Sequence, residues 1–301
     1  MTIRVGLPQG LMYFQYGNVL ERFLAELGVE VVLSGETSRQ TLDCGSVLDE
    51  MCLPSKVLFG HACYLKDKVD YLFMPRVVSI SPGQYTCPKI IGMPDVLKNN
   101  AGNMPPVIDI NVDMRQRSRQ LYAAIIAVGR MFGRSLAASL YAWFRAWRLS
   151  CPLPSRAVDG RPQVALLGHP YIIYDRQISL DVLGKLDRLG VAACTAEMVS
   201  KQEINKAAGT LAKKLYWSSS HHVFGAARAL MTGNPPLNGI IFLTCFGCGP
   251  DAITGELIRQ QAQRLAIPSM QLSLDEHTAE AGFITRLEAF TDMIKRRHSR
   301  W

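Results

Sequence analysis

Short apolar runs alternate with helical stripes along the first third of the chain. Runs rich in β-branched residues predict buried strands, and apolar residues at spacings of three and four predict amphipathic helices. These patterns predict strands at 3–7, 29–33, 69–78 and 106–112, and helices at 19–27 and 54–65. Strands that are separated by helices along the chain favour a parallel, doubly wound sheet.

The same alternation returns in the second half of the chain. It predicts strands at 164–167, 191–194, 239–244 and 269–274, and helices at 178–189, 251–265 and 282–297. We therefore predict an α/β protein with two doubly wound parallel-sheet lobes joined by a helical segment. The predicted parts are an N-terminal lobe at 1–112, a basic helical segment and linker at 113–160, and a C-terminal lobe at 161–301. Ligands of such sheets bind beyond the carboxyl ends of the strands, so we expect the chemistry in the loops that follow them.

Positive charge is concentrated between residues 114 and 158. The chain has a formal net charge of +8, and this segment holds eight arginines and no Asp, Glu or Lys. The arginines are Arg115, Arg117, Arg119, Arg130, Arg134, Arg145, Arg148 and Arg156. Apolar residues recur there at helical spacing, which predicts one or two amphipathic helices with an arginine-rich face. We favour a solvated helical hairpin between the lobes over a surface that docks an acidic partner or membrane headgroups. Nucleic acid ranks last, because no recognition motif accompanies the charge.

Composition limits the class of protein and its compartment. Of 301 residues, 48% are hydrophobic, which excludes a disordered chain. Eight cysteines are too dilute for a disulfide scaffold, and Met1 is followed at once by a strand pattern rather than a signal peptide. We therefore expect reduced thiols and a cytoplasmic protein. No uninterrupted apolar run reaches the roughly 20 residues of a spanning helix, so we expect no membrane span.

Three cysteines share a sequence context, because each lies one or two residues before a proline. They are Cys52, Cys87 and Cys248. Cys52 and Cys248 precede predicted helices, and Cys87 and Cys248 follow predicted strands. The N-terminus of a helix lowers a thiol pKa and offers N–H donors to sulfide, which suits a thiolate ligand of iron. Cys151 also precedes a proline but falls in the linker, so this context alone is a weak signal.

Other interpretations of the Cys248 segment stay open. Cys245 and Cys248 form a C-x-x-C pair, which is shared by redox dithiols and zinc sites, but the second pair that a structural zinc site needs is missing. The segment 247–252 also fits the G-x-G-x-x-A pattern of a dinucleotide site, with Asp275 as a ribose ligand. Against that reading, Cys and Pro stand where a pyrophosphate must approach the backbone. Spacing alone favours structural cysteines over iron–sulfur ligands.

Ordinary structural roles are predicted for several other residues. Cys63 and Cys194 are expected in the core, and the segment 42–46, which includes Cys44, is expected to form an ordinary turn. His221, His222 and His298 are expected on solvated helical faces.

Several short motifs are specific as a set. They are Glu50-Met51-Cys52-Leu53-Pro54-Ser55-Lys56, Gly60-His61, Cys87-Pro88, Phe246-Gly247-Cys248-Gly249-Pro250-Asp251, Asp275-Glu276-His277-Thr278-Ala279-Glu280-Ala281-Gly282 and Thr285-Arg286-Leu287-Glu288-Ala289-Phe290. Together they resemble the acyl-CoA dehydratase activase-related proteins of the 2-hydroxyacyl-CoA dehydratase, benzoyl-CoA reductase and double-cubane-cluster superfamily. The resemblance runs from Ile3 to the last predicted helix.

The resemblance implies a fold, a cofactor and partners. The lobes should be flavodoxin-like, and Cys52, Cys87 and Cys248 should hold a [4Fe–4S] cluster with one iron open, or a double-cubane [8Fe–9S] cluster. Cys245 is then either a spare fourth ligand or a core residue. The ATPase domains that are often fused to such modules are absent from the sequence. Electrons should therefore come from a separate ATP-dependent activase of actin-like ATPase fold, in a homo- or hetero-oligomer.

The resemblance also implies a function and further site residues. We expect an iron–sulfur electron-transfer or reductase component that passes low-potential electrons to a bound acceptor. The alternative is a non-catalytic iron–sulfur binding or assembly subunit that docks a partner. The remaining candidates are Glu276, His277 and His169 as proton-relaying catalytic residues, and Lys56 and Arg286 as cofactor-binding residues. A competing interpretation of 275–280 is a helix start capped by its own side chains.

Overall fold

Parallel strands form the centre of each half of the chain. The computed structural model describes residues 2–115, 119–150 and 159–298, and the chain divides into two units, Met1–Pro152 and Leu153–Trp301. Each unit contains a four-stranded parallel sheet flanked by helices. The predicted α/β class with doubly wound parallel sheets in more than one lobe is confirmed.

The first unit follows the predicted alternation of strands and helices. Its elements are β1 Arg4–Leu7, α1 Tyr13–Glu26, β2 Glu30–Leu33, α2 Arg39–Gly45, α3 Leu53–Leu65, β3 Tyr71–Phe73, β4 Arg76–Ser79, α4 Pro88–Asn100, β5 Val107–Ile108, β6 Asn111–Asp113, α5 Arg119–Met131 and α6 Leu136–Arg148. The main sheet has the order β2-β1-β3-β5, and β4 and β6 form a separate parallel pair.

Two strand predictions in this unit are wrong in one respect. The predicted strands 69–78 and 106–112 each divide into two strands that belong to different sheets. Pro75 lies at the first break and cannot donate a ladder hydrogen bond. Asp109 lies at the second break, where its carboxylate binds Lys98 at 2.8 Å. The chain thereby leaves the main sheet twice and builds a small second one.

Two helices in this unit were not predicted. The expected turn at 42–46 is part of α2, which begins at a capping box between Ser38 and Thr41. The other is α4, which starts directly after Cys87. Both lie close to the cysteines, so they change how the candidate site is built.

The arginine hairpin, defined as α5 and α6, packs into the first unit. Its inner face contributes Ile125, Val128 and Ala142 to the core that also holds Val5 and Phe23. The hairpin is therefore not solvated on all sides, although its arginines lie on the exposed face. Arg117, Arg156 and the predicted linker around Cys151 fall outside the described residues.

The described part of the second unit contains a single sheet, whereas the first unit contains two. Its elements are β7 Gln163–Leu167, α7 Pro170–Ile173, α8 Val182–Arg188, β8 Ala192–Cys194, a short 3₁₀ turn Ala196–Met198, α9 Lys201–Ala208, α10 Ser218–Thr232, β9 Gly239–Cys245, α11 Gly249–Arg264, β10 Ser269–Leu274 and α12 Glu280–His298. The sheet order is β10-β9-β7-β8. Because all four strands are parallel, the loops after β7, β8 and β9 meet at one edge of the sheet.

No single helix among residues 2–115, 119–150 and 159–298 combines the length and the apolar character that crossing a membrane requires.

Candidate functional site

Cys52 and Cys87 occupy equivalent positions in the first unit. Cys52 is the N-cap of α3, Cys87 is the N-cap of α4, and a proline lies in the first turn of each helix. Both have extended backbone angles and both are half-buried. The Cys52 Sγ lies 3.3 Å from the Oγ of Ser55, one turn into the helix.

The Cys87 thiol has a raised pKa. Burial is the largest cause, and the charge of Cys52 acts in the same direction, while the backbone N–H of Lys89 partly opposes both. The N-terminus of a helix tends to lower a thiol pKa, so burial outweighs that effect at Cys87. The influence of Cys52 on Cys87 also indicates that the two thiols lie near each other within the first unit.

Cys248 occupies the same kind of position in the second unit. It is the N-cap of α11, with extended backbone angles and Pro250 in the first turn. Its backbone N–H donates to the carbonyl of Cys245 at 3.1 Å, and Gly247 between them has a φ of +75°, which favours glycine. This tight turn carries the chain from β9 into α11 and places Cys248 at the carboxyl edge of the sheet.

His169 and Asp251 lie beside Cys248. One potential ligand atom from each of the three residues lies within 4.8 Å of the other two. The His169 Nε2 is 2.9 Å from the Asp251 Oδ1, and both side chains are almost fully buried. Thr244 donates a hydrogen bond of 3.1 Å to the other carboxylate oxygen of Asp251. The His169 ring stacks on Tyr171 with a centroid distance of 4.8 Å.

The pairing of His169 with Asp251 was not predicted. Both residues appear in motifs of the sequence, but they lie far apart along the chain and meet only because β7 and β9 are neighbours. Thr244 contacts Asp251, and Tyr171 stacks on His169. The arrangement fixes a histidine, a carboxylate and a thiol at the end of adjacent strands, and these N, O and S donors are suited to binding metal.

The other second-unit candidates lie at the start of α12. Asp275 accepts hydrogen bonds from the Thr278 hydroxyl at 2.8 Å and from the His277 backbone N–H at 2.9 Å. The side chains of Glu276 and His277 are exposed, and Arg286 donates to the backbone carbonyl of Gln271 at 2.9 Å. These hydrogen bonds are those of a helix start that is capped by its own side chains, as the competing interpretation predicted. They give no separate support for a proton relay through Glu276 or His277.

Lys56 and His61 lie on α3, the helix that begins after Cys52. Lys56 is 5% exposed, so the candidate cofactor-binding lysine is an interior residue of the first unit. His61 is fully buried and shares a hydrogen bond of 2.9 Å with Thr37 through its Nε2. Its Nδ1 is buried without a hydrogen-bond partner among the described residues. His61 belongs to the Gly60-His61 motif, but the sequence predicted no role for it.

The remaining cysteines have structural surroundings. Cys194 and Cys245 are buried, as expected for Cys194 and as one of the two alternatives for Cys245. Cys63 is half-buried rather than fully buried, and a hydrogen bond links it to Cys44. Burial, followed by the contact with Cys44, raises the pKa of Cys63 to about 12. None of the seven described cysteines forms a disulfide.

A second polar cluster follows β8. The Tyr174 hydroxyl lies 2.7 Å from the Thr195 Oγ1 and donates to the Glu197 carboxylate at 3.1 Å. The His222 Nε2 lies 3.7 Å from the other Glu197 oxygen. Burial acts to raise the pKa of Glu197, but His222 and Tyr174 outweigh it and hold that pKa below its usual value. The prediction that His222 is solvated is therefore wrong, because its Nε2 is buried against Glu197.

His61 gives a pH-dependent prediction for stability. Burial lowers its pKa to about 4, whereas an exposed histidine has a pKa near 6.5. Below pH 6.5 the unfolded chain therefore binds a proton that the folded chain excludes, and stability falls until the pH reaches about 4. We expect the free energy of unfolding to drop by about 2 kcal/mol more between pH 7 and pH 5 in the wild type than in His61→Gln.

Urea titrations followed by circular dichroism at both pH values measure this difference. His298→Gln, which removes an exposed histidine, serves as the control and should keep the wild-type pH dependence. An equal pH dependence in His61→Gln and the wild type would show that His61 does not titrate abnormally.

Comparison with protein families identifies a matching family. A family model described as "CoA enzyme activase uncharacterised domain" matches residues 4–199. The matched region includes Cys52, Cys87 and His169 but ends before Cys248 and Asp251. A search of curated proteins finds no match.

Proposed function

Because the chain belongs to the family described as the CoA enzyme activase uncharacterised domain, we propose that it is an iron–sulfur electron-transfer component of such an activation system. In this proposal Cys52, Cys87 and Cys248 hold a [4Fe–4S] cluster or one half of a double-cubane cluster. A separate ATP-dependent activase of actin-like fold supplies low-potential electrons, and an acceptor bound by this protein or its oligomeric partner receives them. The described cysteines form no disulfide, which suits a reducing compartment such as the cytoplasm.

One observation carries the proposal: the three cysteines have the same local structure. Each is the N-cap of a helix, each has extended backbone angles, and each is followed by a proline in the first helical turn. The first-turn N–H groups of a helix have no partner within the helix, and they form its positive end. Three thiolates at three such positions suit an anionic cluster better than they suit core packing, and all three cysteines are half-buried rather than buried.

The donor set also fits the cofactor. Cysteine thiolates are the usual protein ligands of iron–sulfur clusters, and such a cluster supplies one-electron transfer at low potential when it is bound. The raised pKa of Cys87 means that its thiol keeps its proton until a metal displaces it, which couples loading to proton release. His169, held by Asp251, lies beside Cys248 and can donate or accept a hydrogen bond there.

Anaerobic reconstitution tests the proposal directly. The full chain is incubated with ferrous iron and sulfide under argon, desalted, and analysed for iron, acid-labile sulfide and visible absorption. We expect about four irons and four sulfides per chain and a charge-transfer band that bleaches on reduction. Binding of fewer than one iron per chain would contradict the proposal. A cluster that forms but cannot be reduced would instead favour the non-catalytic binding or assembly subunit.

A further inference from the structure

The outer face of the arginine hairpin exposes an unusual number of large apolar side chains. Seven of them lie on α5 and α6 or at their ends, at positions that the core does not use. They are Tyr122, Met131, Leu136, Tyr141, Phe144, Trp147 and Leu149. Tyr141, Phe144 and Trp147 fall within two turns of α6 and are each 57–61% exposed. Clustered exposure of this kind marks an interaction surface rather than scattered surface hydrophobics.

The charge on this face has a single sign. The hairpin contains no Asp, Glu or Lys. Arg145 is paired with Glu26 at 3.2 Å, and Arg134 donates to the carbonyl of Leu27 at 2.7 Å. Within the described part of the chain no carboxylate forms an ion pair with Arg119, Arg130 or Arg148. These three exposed arginines are available to bind anions outside the protein.

The occupant that fits best is a lipid surface. Part of the apolar surface of α5 and α6 is buried in the core of the first unit, and the exposed aromatic rings lie outside it on helices that are bent by 113° relative to each other. Exposed Trp, Tyr and Phe rings beside arginines suit the interface of an anionic membrane, where such rings reach the headgroup level. A second copy of the chain is disfavoured, because it would bring two arginine faces together.

We propose that the outer face of the arginine hairpin binds an anionic phospholipid surface. Tyr141, Phe144 and Trp147 enter the headgroup region, and Arg119, Arg130 and Arg148 bind lipid phosphates. The guanidinium group can bind phosphate through two parallel hydrogen bonds, which suits an arginine-only face. The inference does not depend on the proposed iron–sulfur function, since none of the cysteines contributes to this surface.

Vesicle flotation with the full chain tests the proposal. One set of vesicles contains 70% phosphatidylcholine and 30% phosphatidylglycerol, and the other contains phosphatidylcholine alone. We expect binding to the anionic vesicles, and roughly fivefold weaker binding for each arginine removed in Arg130→Gln and Arg148→Gln. Phe144→Ser with Trp147→Ser should weaken binding at least as much. Val47→Ser and Lys206→Gln remove an exposed apolar side chain and an exposed charge elsewhere and should bind as the wild type does.

A second measurement reports whether Trp147 reaches the membrane. The chain has four tryptophans, so the fluorescence of the wild type is compared with that of Trp147→Phe, and we expect lipids that carry a quencher at the headgroup to quench the wild type more. Absence of binding to anionic vesicles at low salt, or equal binding to both vesicle types, would overturn the proposal. A change in elution volume on gel filtration of the variants, with no vesicle binding by the wild type, would assign the face to a second copy of the chain instead.

Discussion

Cys248→Ala is expected to abolish the reconstituted cluster, whereas Cys245→Ala is expected to retain it. Cys248 is the half-buried N-cap of α11, preceded by a glycine with positive φ, and it faces His169 and Asp251. Cys245 is the last residue of β9 and is 4% exposed. In the proposed cluster, loss of one thiolate from a set of three removes the protein ligand of an iron, whereas Cys245 is a packed residue outside that set.

The two variants form a matched pair, because they lie three residues apart and lose the same atom. Both are prepared and reconstituted without oxygen, and iron content and visible absorption are compared with the wild type. Circular dichroism establishes that each variant is folded. Equal loss of iron in both would show that the C-x-x-C pair acts as a unit, and retention of the cluster in Cys248→Ala would remove Cys248 from the ligand set.

Gly60→Ala is expected to destabilise the first unit by about 3 kcal/mol. A Cβ at residue 60 would lie 1.9 Å from the carbonyl oxygen of Thr41, and a Cβ at Gly45 would lie 2.1 Å from the carbonyl oxygen of Lys56. The two glycines therefore allow α2 and α3 to touch through their backbones. An added methyl group must push the helices apart, and the neighbours it meets are backbone atoms that cannot rotate away.

Gly92→Ala provides the control. Gly92 lies inside α4, and a Cβ there would meet nothing within 4 Å. Alanine is the better helix former by roughly 1 kcal/mol, so this variant should be as stable as the wild type or more stable. Urea titrations of both variants followed by circular dichroism give the comparison. Equal stability of Gly60→Ala and Gly92→Ala would show that α2 and α3 are not in backbone contact.

Local patterns predict the strands that have a continuous apolar signal. β1, β7 and β10 agree with their predicted ranges to within one residue, since each is a short uninterrupted run with a clear end. α4 was missed for the opposite reason, because Gly92 and Pro94 lie inside it and both disfavour a helix. Its buried Met93 and Leu97 stabilise it through packing, which a pattern of single residues does not reveal.

The sequence predicted individual residues of the candidate site but not the contacts between them. The Cys-to-Pro spacing identified three thiols that prove to share one local structure, because capping is a local property. The contact of His169 with Asp251 depends on which strands are neighbours in the sheet, and the burial of Lys56 and His61 depends on what packs over α3. Such properties follow from the tertiary fold, so short motifs carry no signal for them.

The order of strands in the second sheet has a consequence for how the chain folds. β7 is flanked by β8 on one side and by β9 on the other, and β9 begins only at residue 239. During synthesis β7 therefore waits, with one edge unpaired, for more than seventy residues to emerge. β1 of the first unit waits in the same way until β3 begins at residue 71. Pairing across so long a separation is slow, and an exposed edge in a partly made sheet invites aggregation. Among the described strands, β7 is thus the one whose free edge stays exposed longest while the chain is being made.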